Sequence, residues 1–147
     1  MQLTSSSFAP SQEIPQKYGK RADNTSPQLA WTDAPAGTRS FALTVVDWHP
    51  VAQGYIHWMV CELPATTSAL DEGAASGAMP PGARQVRPYA GPFPPSGTHD
   101  YEFTLYALDV ERLDVPDGAP LDAFMSAAQP HTLATATLVG RFTRQAH

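Results

Sequence analysis

The sequence has one cysteine, few basic residues and no long apolar run. A single cysteine in 147 residues excludes an internal disulfide framework. The apolar neighbours of Cys61, in the run Trp58-Met59-Val60, predict a buried and reduced thiol. Nine Lys and Arg against fourteen Asp and Glu give a net charge of −5. This balance argues against nucleic acid as a partner, because the phosphate backbone is bound by clustered basic side chains.

The absence of long apolar segments also bears on membranes and on location. No run approaches the roughly 18 apolar residues that span a bilayer. Met1 to Ser5 lacks the basic and apolar regions of a secretory signal. We therefore expect a cytoplasmic protein without a membrane span. A composition of 42% hydrophobic and 16% charged residues predicts one globular domain over residues 1–147.

The clearest local signals are those of β-strands. Segments rich in Val, Thr, Phe, Tyr and Leu, each bounded by Pro or Gly, predict strands at 40–47, 56–63, 101–109 and 132–142, with shorter candidates at 29–32 and 84–88. Both faces of 40–47 are largely apolar, which predicts a central strand covered on both sides. One helix is predicted between Ala119 and Ala128, with apolar residues at helical spacing. The pattern predicts a β-rich sandwich with one or two short peripheral helices.

A stretch of chain dense in proline lies between two of the predicted strands. Six of the fifteen prolines fall in residues 80–95, too many for a central strand or a helix. Long loops in compact domains are commonly functional, and proline stiffens this one. We therefore expect this loop to contribute to a binding site.

Histidines and a carboxylate lie near this loop in the sequence. His49, His57 and His99 stand close to Asp47 or Asp100 at the ends of predicted strands. Such a grouping predicts a small, preformed pocket for a polar or anionic ligand. The other two histidines, His131 and His147, are interpreted as helix-end and tail residues without function.

Several motifs follow one another in order from about Phe8 to Phe142. They are Ser26-Pro27-Gln28-Leu29-Ala30-Trp31, Pro35-Ala36-Gly37-Thr38-Arg39-Ser40-Phe41, His57-Trp58-Met59-Val60, Pro64-Ala65, Gly91-Pro92 through Pro94-Pro95, and His99 with Tyr101 and the strand that follows. Together they resemble the phosphatidylethanolamine-binding protein family, specifically its bacterial branch often called Raf-kinase-inhibitor-like. The resemblance implies two antiparallel sheets in a β-sandwich, with a shallow pocket at one end that accepts phosphate or a phosphorylated head group.

The resemblance also implies which residues form the pocket. In the family the pocket is built from an aspartate-rich turn, a His-Trp pair, a Gly-x-x-Pro-Pro loop and a later His-x-Tyr. Carried over to this sequence, and with the neighbouring His49 and Pro92 included, the candidate ligand-binding residues are Asp47, His49, Tyr55, His57, Gly91, Pro92, Pro94, Pro95, His99 and Tyr101. No cofactor is expected.

The chemistry of these residue types supports an anion site. Imidazoles donate N–H to anionic oxygens, and an adjacent carboxylate holds a ring tautomer and raises the pKa of the ring. We expect Asp47 to orient a histidine rather than to touch the ligand. His99 and Tyr101 should share one strand face. Gly91 is expected to let backbone approach the ligand, and the prolines to fix the loop before binding.

Two departures from the family pattern affect this site. Where the family has Asp-Pro-Asp-Ala-Pro, this sequence has Asp47-Trp48-His49-Pro50-Val51, and where the family usually has His-Arg-Tyr it has His99-Asp100-Tyr101. We hypothesise that the changes compensate, with an Asp–Arg pair replaced by His49 and Asp100 with the signs exchanged. Trp48 is also expected to reshape and dry the pocket.

Other functions stay open on the sequence alone. His57, His99 and Asp47 have the composition of an acid–base site for cyclisation or isomerisation of an organic substrate. With His49 they also have residue types that suit a transition metal, although no metal-binding spacing is present. A strand histidine such as His57 can equally be a packed core residue. Regulation by protein contact, and a homodimer, are the remaining alternatives.

Overall fold

The computed structural model describes residues 1–144, which form two antiparallel β-sheets and one α-helix. The predicted two-sheet β-sandwich is confirmed. Single-turn 3-10 helices lie at Gln16–Tyr18, Ala74–Ser76 and Gln129–His131. The longer elements are β1 (Gln2–Thr4), β2 (Leu29–Thr32), β3 (Ser40–Asp47), β4 (Tyr55–Pro64), β5 (Ala69–Leu70), β6 (Arg84–Arg87), β7 (Thr98–Leu108), α1 (Leu121–Ala128) and β8 (Thr132–Thr143).

The larger sheet has the strand order β6-β4-β3-β7-β8, and the smaller sheet has the order β1-β2-β5. Every residue of β3 is buried, as the apolar character of both its faces predicts. The strand therefore places its last residue, Asp47, in the interior of the molecule. Across β3, Asp47 is paired with Tyr55 of β4 on one side and with Tyr101 of β7 on the other.

Two hydrophobic clusters hold the layers together. The larger one fills the space between the sheets, with Trp31 of the small sheet packed on Phe41 of β3. The smaller one lies on the opposite face of the large sheet, where Phe124 of α1 packs over Tyr106. Cys61 belongs to this second cluster, and burial raises the pKa of its thiol to about 12. The predicted buried thiol is thus confirmed.

The long N-terminal segment before β2 packs along β8 and the proline-rich loop. Ile14 donates its backbone N–H to the Arg141 carbonyl at 2.6 Å. A β-carbon on Gly140 would lie 2.6 Å from side-chain atoms of Phe8 and Ile14, so glycine is needed for this close packing. The segment then reaches the proline-rich loop, where Lys20 donates its N–H to the Pro92 carbonyl at 3.1 Å. The N-terminal segment therefore supports the loop from outside.

The observed elements differ from the predicted ones at edges and ends. β7 begins at Thr98, three residues before the predicted start at Tyr101, and β1 and β5 were not predicted. These two strands have three and two residues, too few for an alternating pattern to emerge. The helix begins at Leu121, after Pro120, and ends at Ala128. Over residues 1–144 no helix is long and apolar enough to cross a membrane.

Candidate functional site

Asp47 holds a histidine and a turn in place at the end of β3. Its Oδ2 accepts the Nδ1–H of His99 at 2.6 Å, and its Oδ1 accepts the backbone N–H of His49 at 2.9 Å. The side chains of Asp47 and His99 are almost completely buried. Both carboxylate oxygens are thus used for positioning, which is the role that the sequence argument gives to this residue.

His57 is brought into the same cluster by a β-bulge in β4. The pairing with β3 steps from Val45–Trp58 directly to Val46–Ile56, which leaves His57 as the extra residue. Its Nδ1–H donates to the Ala90 carbonyl at 2.6 Å, while its own carbonyl accepts the Ala90 N–H at 2.8 Å. The bulge and the loop therefore fix the imidazole together.

Tyr101 completes the cluster. Its ring meets the His57 ring edge-on, with centroids 5.0 Å apart and planes at 85°. Only 1% of Tyr101 is exposed, and its hydroxyl has no hydrogen-bond partner within 3.5 Å among the described residues, although the Asp47 carboxylate and the Phe93 backbone are near enough to affect its pKa. Burial, and secondarily the negative charge of Asp47, raise the pKa of this hydroxyl. Tyr101 is therefore a neutral O–H donor at physiological pH.

The hydrogen bonds of the two histidines define which atoms remain for a ligand. Carbonyl and carboxylate oxygens only accept, so the Nδ1 atoms of His57 and His99 both carry hydrogen. In the neutral rings each Nε2 then keeps its lone pair and accepts. The cluster offers one hydroxyl donor and two nitrogen acceptors, and each acceptor becomes a donor when its ring is protonated.

The pKa of His57 is shifted in the direction opposite to the one expected from the sequence. A neighbouring carboxylate was expected to raise the pKa of a site histidine. Burial instead lowers the pKa of His57, and the opposing effects of the Ala90 carbonyl and the Asp47 charge are smaller. The imidazole is removed from water more completely than a strand-end position suggested.

Two aromatic rings form the wall next to His57. Tyr55 stands where the resemblance placed an aromatic wall, 4.8 Å from the His57 ring between centroids, and it is 45% exposed. Phe93 lies 5.8 Å from the same ring and was missed, because the loop was considered for its glycine and prolines alone. An aromatic residue within a stiff, proline-rich loop was the signal available in the sequence.

Gly91 is packed tightly against the N-terminal turn, whereas the sequence predicts only an approach of its backbone to a ligand. A β-carbon at this position would clash with the backbone carbonyl of Tyr18, and the Gly91 N–H already donates to Asn24 Oδ1 at 2.6 Å. Pro92 and Pro94 are buried beside it, whereas Pro95 is exposed. The loop is held by the N-terminal segment on the side away from His57.

His49 and Asp100 do not form the hypothesised pair. The His49 ring stacks on His99, with centroids 3.8 Å apart and planes at 2°, and its Nδ1 accepts the Val51 N–H at 3.1 Å. Asp100 lies on the exposed side of β7, 3.9 Å from Arg141 Nε, and no His49–Asp100 hydrogen bond occurs in the part of the chain described. The compensation hypothesis is wrong because successive residues of β7 point to opposite faces.

Trp48 also lies elsewhere than expected. It is 56% exposed, and its Nε1–H points to Glu102 at 3.4 Å, so it does not cover the histidine cluster.

Within residues 1–144, no group of three or more His, Cys, Asp and Glu side chains is arranged to hold a metal ion. His131 lies outside the site, bonded to Asp109 at 2.9 Å, and His147 lies outside the described residues.

The comparisons with known proteins agree with this fold. The family model for phosphatidylethanolamine-binding protein matches residues 4–143. The chain belongs to the phosphatidylethanolamine-binding protein family.

Its relatives include bacterial and archaeal proteins of similar length. The UPF0098 protein YbhB of Escherichia coli is 40% identical over 97% of this chain and 100% of its own length. A UPF0098 protein of Methanothermobacter thermautotrophicus is 34% identical over 98% and 99%. The crystal structure of E. coli YbcL, described as a member of the mammalian PEBP family, superimposes with a TM-score of 0.88 at 29% identity, covering 98% of both chains.

Proposed function

We propose that this protein is a small-molecule binding module whose site is the cluster of His57, His99 and Tyr101. The ligand class is a phosphate-bearing or other small polar molecule, such as a phospholipid head group or a phosphometabolite. Asp47 orients His99, and Tyr55 with Phe93 lines the wall beside His57. Membership of the family supports this ligand class.

The observation that carries the proposal is the Tyr101 hydroxyl. A buried polar group without a partner costs about 1–3 kcal/mol, so folded proteins rarely keep one without a reason. The Tyr101 ring lies 5.0 Å from the His57 ring and 6.5 Å from the His99 ring between centroids, so the hydroxyl belongs to the same cluster. A ligand oxygen that accepts from Tyr101 would satisfy the group.

Binding of an anion at this cluster requires a proton. A neutral His57 ring presents an acceptor nitrogen, which repels an anionic oxygen until the ring is protonated. Burial lowers the pKa of His57, so this ring enters the complex neutral unless the ligand stabilises its charge. Phosphate affinity should therefore increase as the pH falls towards 6.

Calorimetric titration with inorganic phosphate and phosphoethanolamine tests the proposal. Tyr101→Phe and His99→Gln should each weaken binding by about tenfold or more, the effect of losing a hydrogen bond to a charged group. His131→Gln is the matched control, because His131 bonds an aspartate at a distant, exposed position. Equal affinity in all four proteins would disprove a site at this cluster.

A second function is favoured by the Asp47–His99 pair. A buried carboxylate that holds an imidazole by Nδ1 is the arrangement of an acid–base catalyst, and neutral His57 nearby has the protonation state of a base. The corresponding activity is proton transfer on a small organic substrate, as in cyclisation or isomerisation. Neither a nucleophile nor a cofactor is needed for it.

Hydrogen exchange at carbon separates an enzyme from a binding module. Protein incubated in D2O with pyruvate or dihydroxyacetone should introduce deuterium next to the carbonyl if the cluster abstracts protons. The exchange should disappear in His99→Gln and persist in His131→Gln. Saturable ligand binding without exchange would favour the binding function.

Exposed apolar side chains support a proposal about the assembly of the protein. The turn before β4 carries three exposed apolar side chains that are near one another in sequence: Trp48, Val51 and Tyr55. They support a homodimer. Sedimentation velocity would detect it. We also propose a cytoplasmic location, although a relative from Mycobacterium tuberculosis, 37% identical over 95% of this chain, has a name that calls it a lipoprotein.

A further inference from the structure

We propose that a second anion site, the arginine pocket, lies behind the proline-rich loop and binds an aromatic phosphate. The pocket is a cavity of about 140 Å³ between the turn at residues 16–22, the loop at 92–94 and the end of β8. Its charged lining is Arg21 and Arg144, and its apolar walls include Phe93 and Phe142. Of the lining residues only Pro92 and Pro94 were predicted to bind a ligand, and neither arginine was. The histidines of the other cluster are not part of this lining.

The charge of the pocket is opposite to that of the whole protein. The chain has a net charge of −5 with only nine Lys and Arg, yet Arg21 and Arg144 line this one cavity. Lys20 lies outside the lining of the cavity, with its Nζ 4.8 Å from the centre of the Phe93 ring. No acidic side chain is among the described residues that line the cavity.

The two guanidinium groups keep donors available for a ligand. Arg144 uses Nη1 for the Pro95 carbonyl at 2.9 Å, which fixes the side chain and leaves its other N–H groups. Arg21 makes no side-chain hydrogen bond or ion pair with another group within residues 1–144. Guanidinium forks match the oxygens of phosphate and carboxylate, and an anion between two of them relieves their mutual repulsion.

The walls determine what the anion is attached to. The cavity is lined by the rings of Phe93, Phe142, Pro92 and Pro94. A drug-sized ligand usually occupies about 300–1,000 Å³, so this cavity suits one anionic group and one small ring. A dianionic phosphate uses two arginines more fully than a carboxylate does, which favours an aryl phosphate.

Phe93 lies between the two sites. One side of its ring faces His57 and Tyr55, at 5.8 and 5.9 Å between centroids, and the residue also lines the arginine pocket. The loop is pinned by Lys20 and by His57, so Phe93 is a fixed partition rather than a mobile cover. The arginine pocket can therefore bind its ligand whether or not the histidine cluster is functional.

Calorimetric titration with phenyl phosphate tests the arginine pocket, using His99→Gln protein to disable the histidine cluster. Arg21→Gln and Arg144→Gln, each added to this background, should weaken binding by about tenfold or more. Arg112→Gln is the control, because it removes the same charge at an exposed position outside the pocket. Benzoate and inorganic phosphate should bind more weakly than phenyl phosphate, and phenol should not bind.

Three results would overturn the proposal. One is no binding of phenyl phosphate, and another is an equal loss in the Arg21, Arg144 and Arg112 variants, which would indicate a general charge effect. The third is binding that the His99→Gln background abolishes, which would assign the ligand to the histidine cluster. If an arginine variant fails to fold, amide NMR shifts of Gly19 and Ala22 in the wild-type protein decide, because these residues line the pocket.

Discussion

The buried hydroxyl of Tyr101 does not contribute to the stability of the fold. This hydroxyl is without a partner among the described residues, whereas Tyr89, which is also buried, donates its hydroxyl hydrogen to the Tyr18 carbonyl at 2.8 Å. The same atom thus contributes to stability in one tyrosine and opposes it in the other. Such a local cost is typical of functional positions, where the missing partner is supplied by a ligand.

Replacement by phenylalanine should therefore destabilise the protein at Tyr89 but not at Tyr101. Tyr101→Phe should leave the free energy of unfolding unchanged or raise it by about 1 kcal/mol, since no hydrogen bond is lost. Tyr89→Phe should lower it by about 1–3 kcal/mol, since the Tyr18 carbonyl is left buried and without its donor. Urea denaturation measures both. Destabilisation of the same size in the two variants would show that Tyr101 has a partner in the folded protein.

His57 should make the stability of the protein depend on pH. Burial lowers its pKa below the value of about 6.5 in the unfolded chain. As the pH falls below about 6.5, the unfolded state binds the proton first, so stability decreases until the lower folded pKa is reached. His57→Gln removes this contribution. Unfolding measured between pH 7.5 and 5 should show a smaller loss in the variant, and identical losses would contradict the buried, neutral imidazole.

The interactions of His49 can be separated by double-mutant cycles. His49 stacks on His99 and has no hydrogen bond to Asp100 in the described structure. The coupling energy between His49 and Asp100 should therefore be zero within about 0.5 kcal/mol, and that between His49 and His99 should exceed this value. A large His49–Asp100 coupling would restore the compensation hypothesis.

At the scale of elements, the site depends on the proline-rich loop and on the support it receives. Gly91 is packed against the turn at residues 18–20 so closely that a β-carbon would clash with backbone. Because His57 bonds Ala90 by both its ring and its carbonyl, movement of the loop at Gly91 would move the imidazole as well. Packing outside the site thus fixes a side chain within it.

Gly91→Ala should consequently destabilise the protein and disturb His57. We expect a loss of at least about 2 kcal/mol in the free energy of unfolding, typical of forced overpacking. Pro95→Ala is the control in the same loop, where an exposed proline should cost less than about 1 kcal/mol. Denaturation gives the energies, and the NMR signal of the His57 ring reports the disturbance. A stable Gly91→Ala protein would mean that the turn and the loop separate easily.

Elements also show where sequence reasoning succeeds and where it stops. β3 and β2 were predicted with the observed bounds, because uninterrupted β-forming residues between Pro, Gly or polar residues mark a buried strand. The bulge at His57 was not predictable, because a strand with one extra residue has the same kinds of residues as a regular strand. The sequence predicted that Gly91 lets the backbone approach a ligand, because glycine lacks a side chain. Its close packing against Tyr18 could not be predicted, because Tyr18 is distant in sequence.

At the scale of the whole molecule, the sandwich gathers residues that are far apart in the sequence. Asp47, His57 and His99 come from the ends of β3, β4 and β7, which are adjacent in the large sheet. The resemblance to the family predicted these strand-borne residues together. Phe93 and the arginine pocket depend on how the N-terminal segment packs against the loop and β8, which no local pattern in the sequence specifies.

The most direct test of the central claim is an NMR titration with inorganic phosphate that follows the histidine ring signals. His57 and His99 should shift and saturate together, more strongly at pH 6 than at pH 8, because the bound anion stabilises a protonated ring. His131 is an internal reference, since it bonds Asp109 beyond the opposite end of β7. Saturable shifts at His57 and His99 that Tyr101→Phe weakens would support the site. Unchanged His57 and His99 signals, or shifts shared equally by His131, would contradict it.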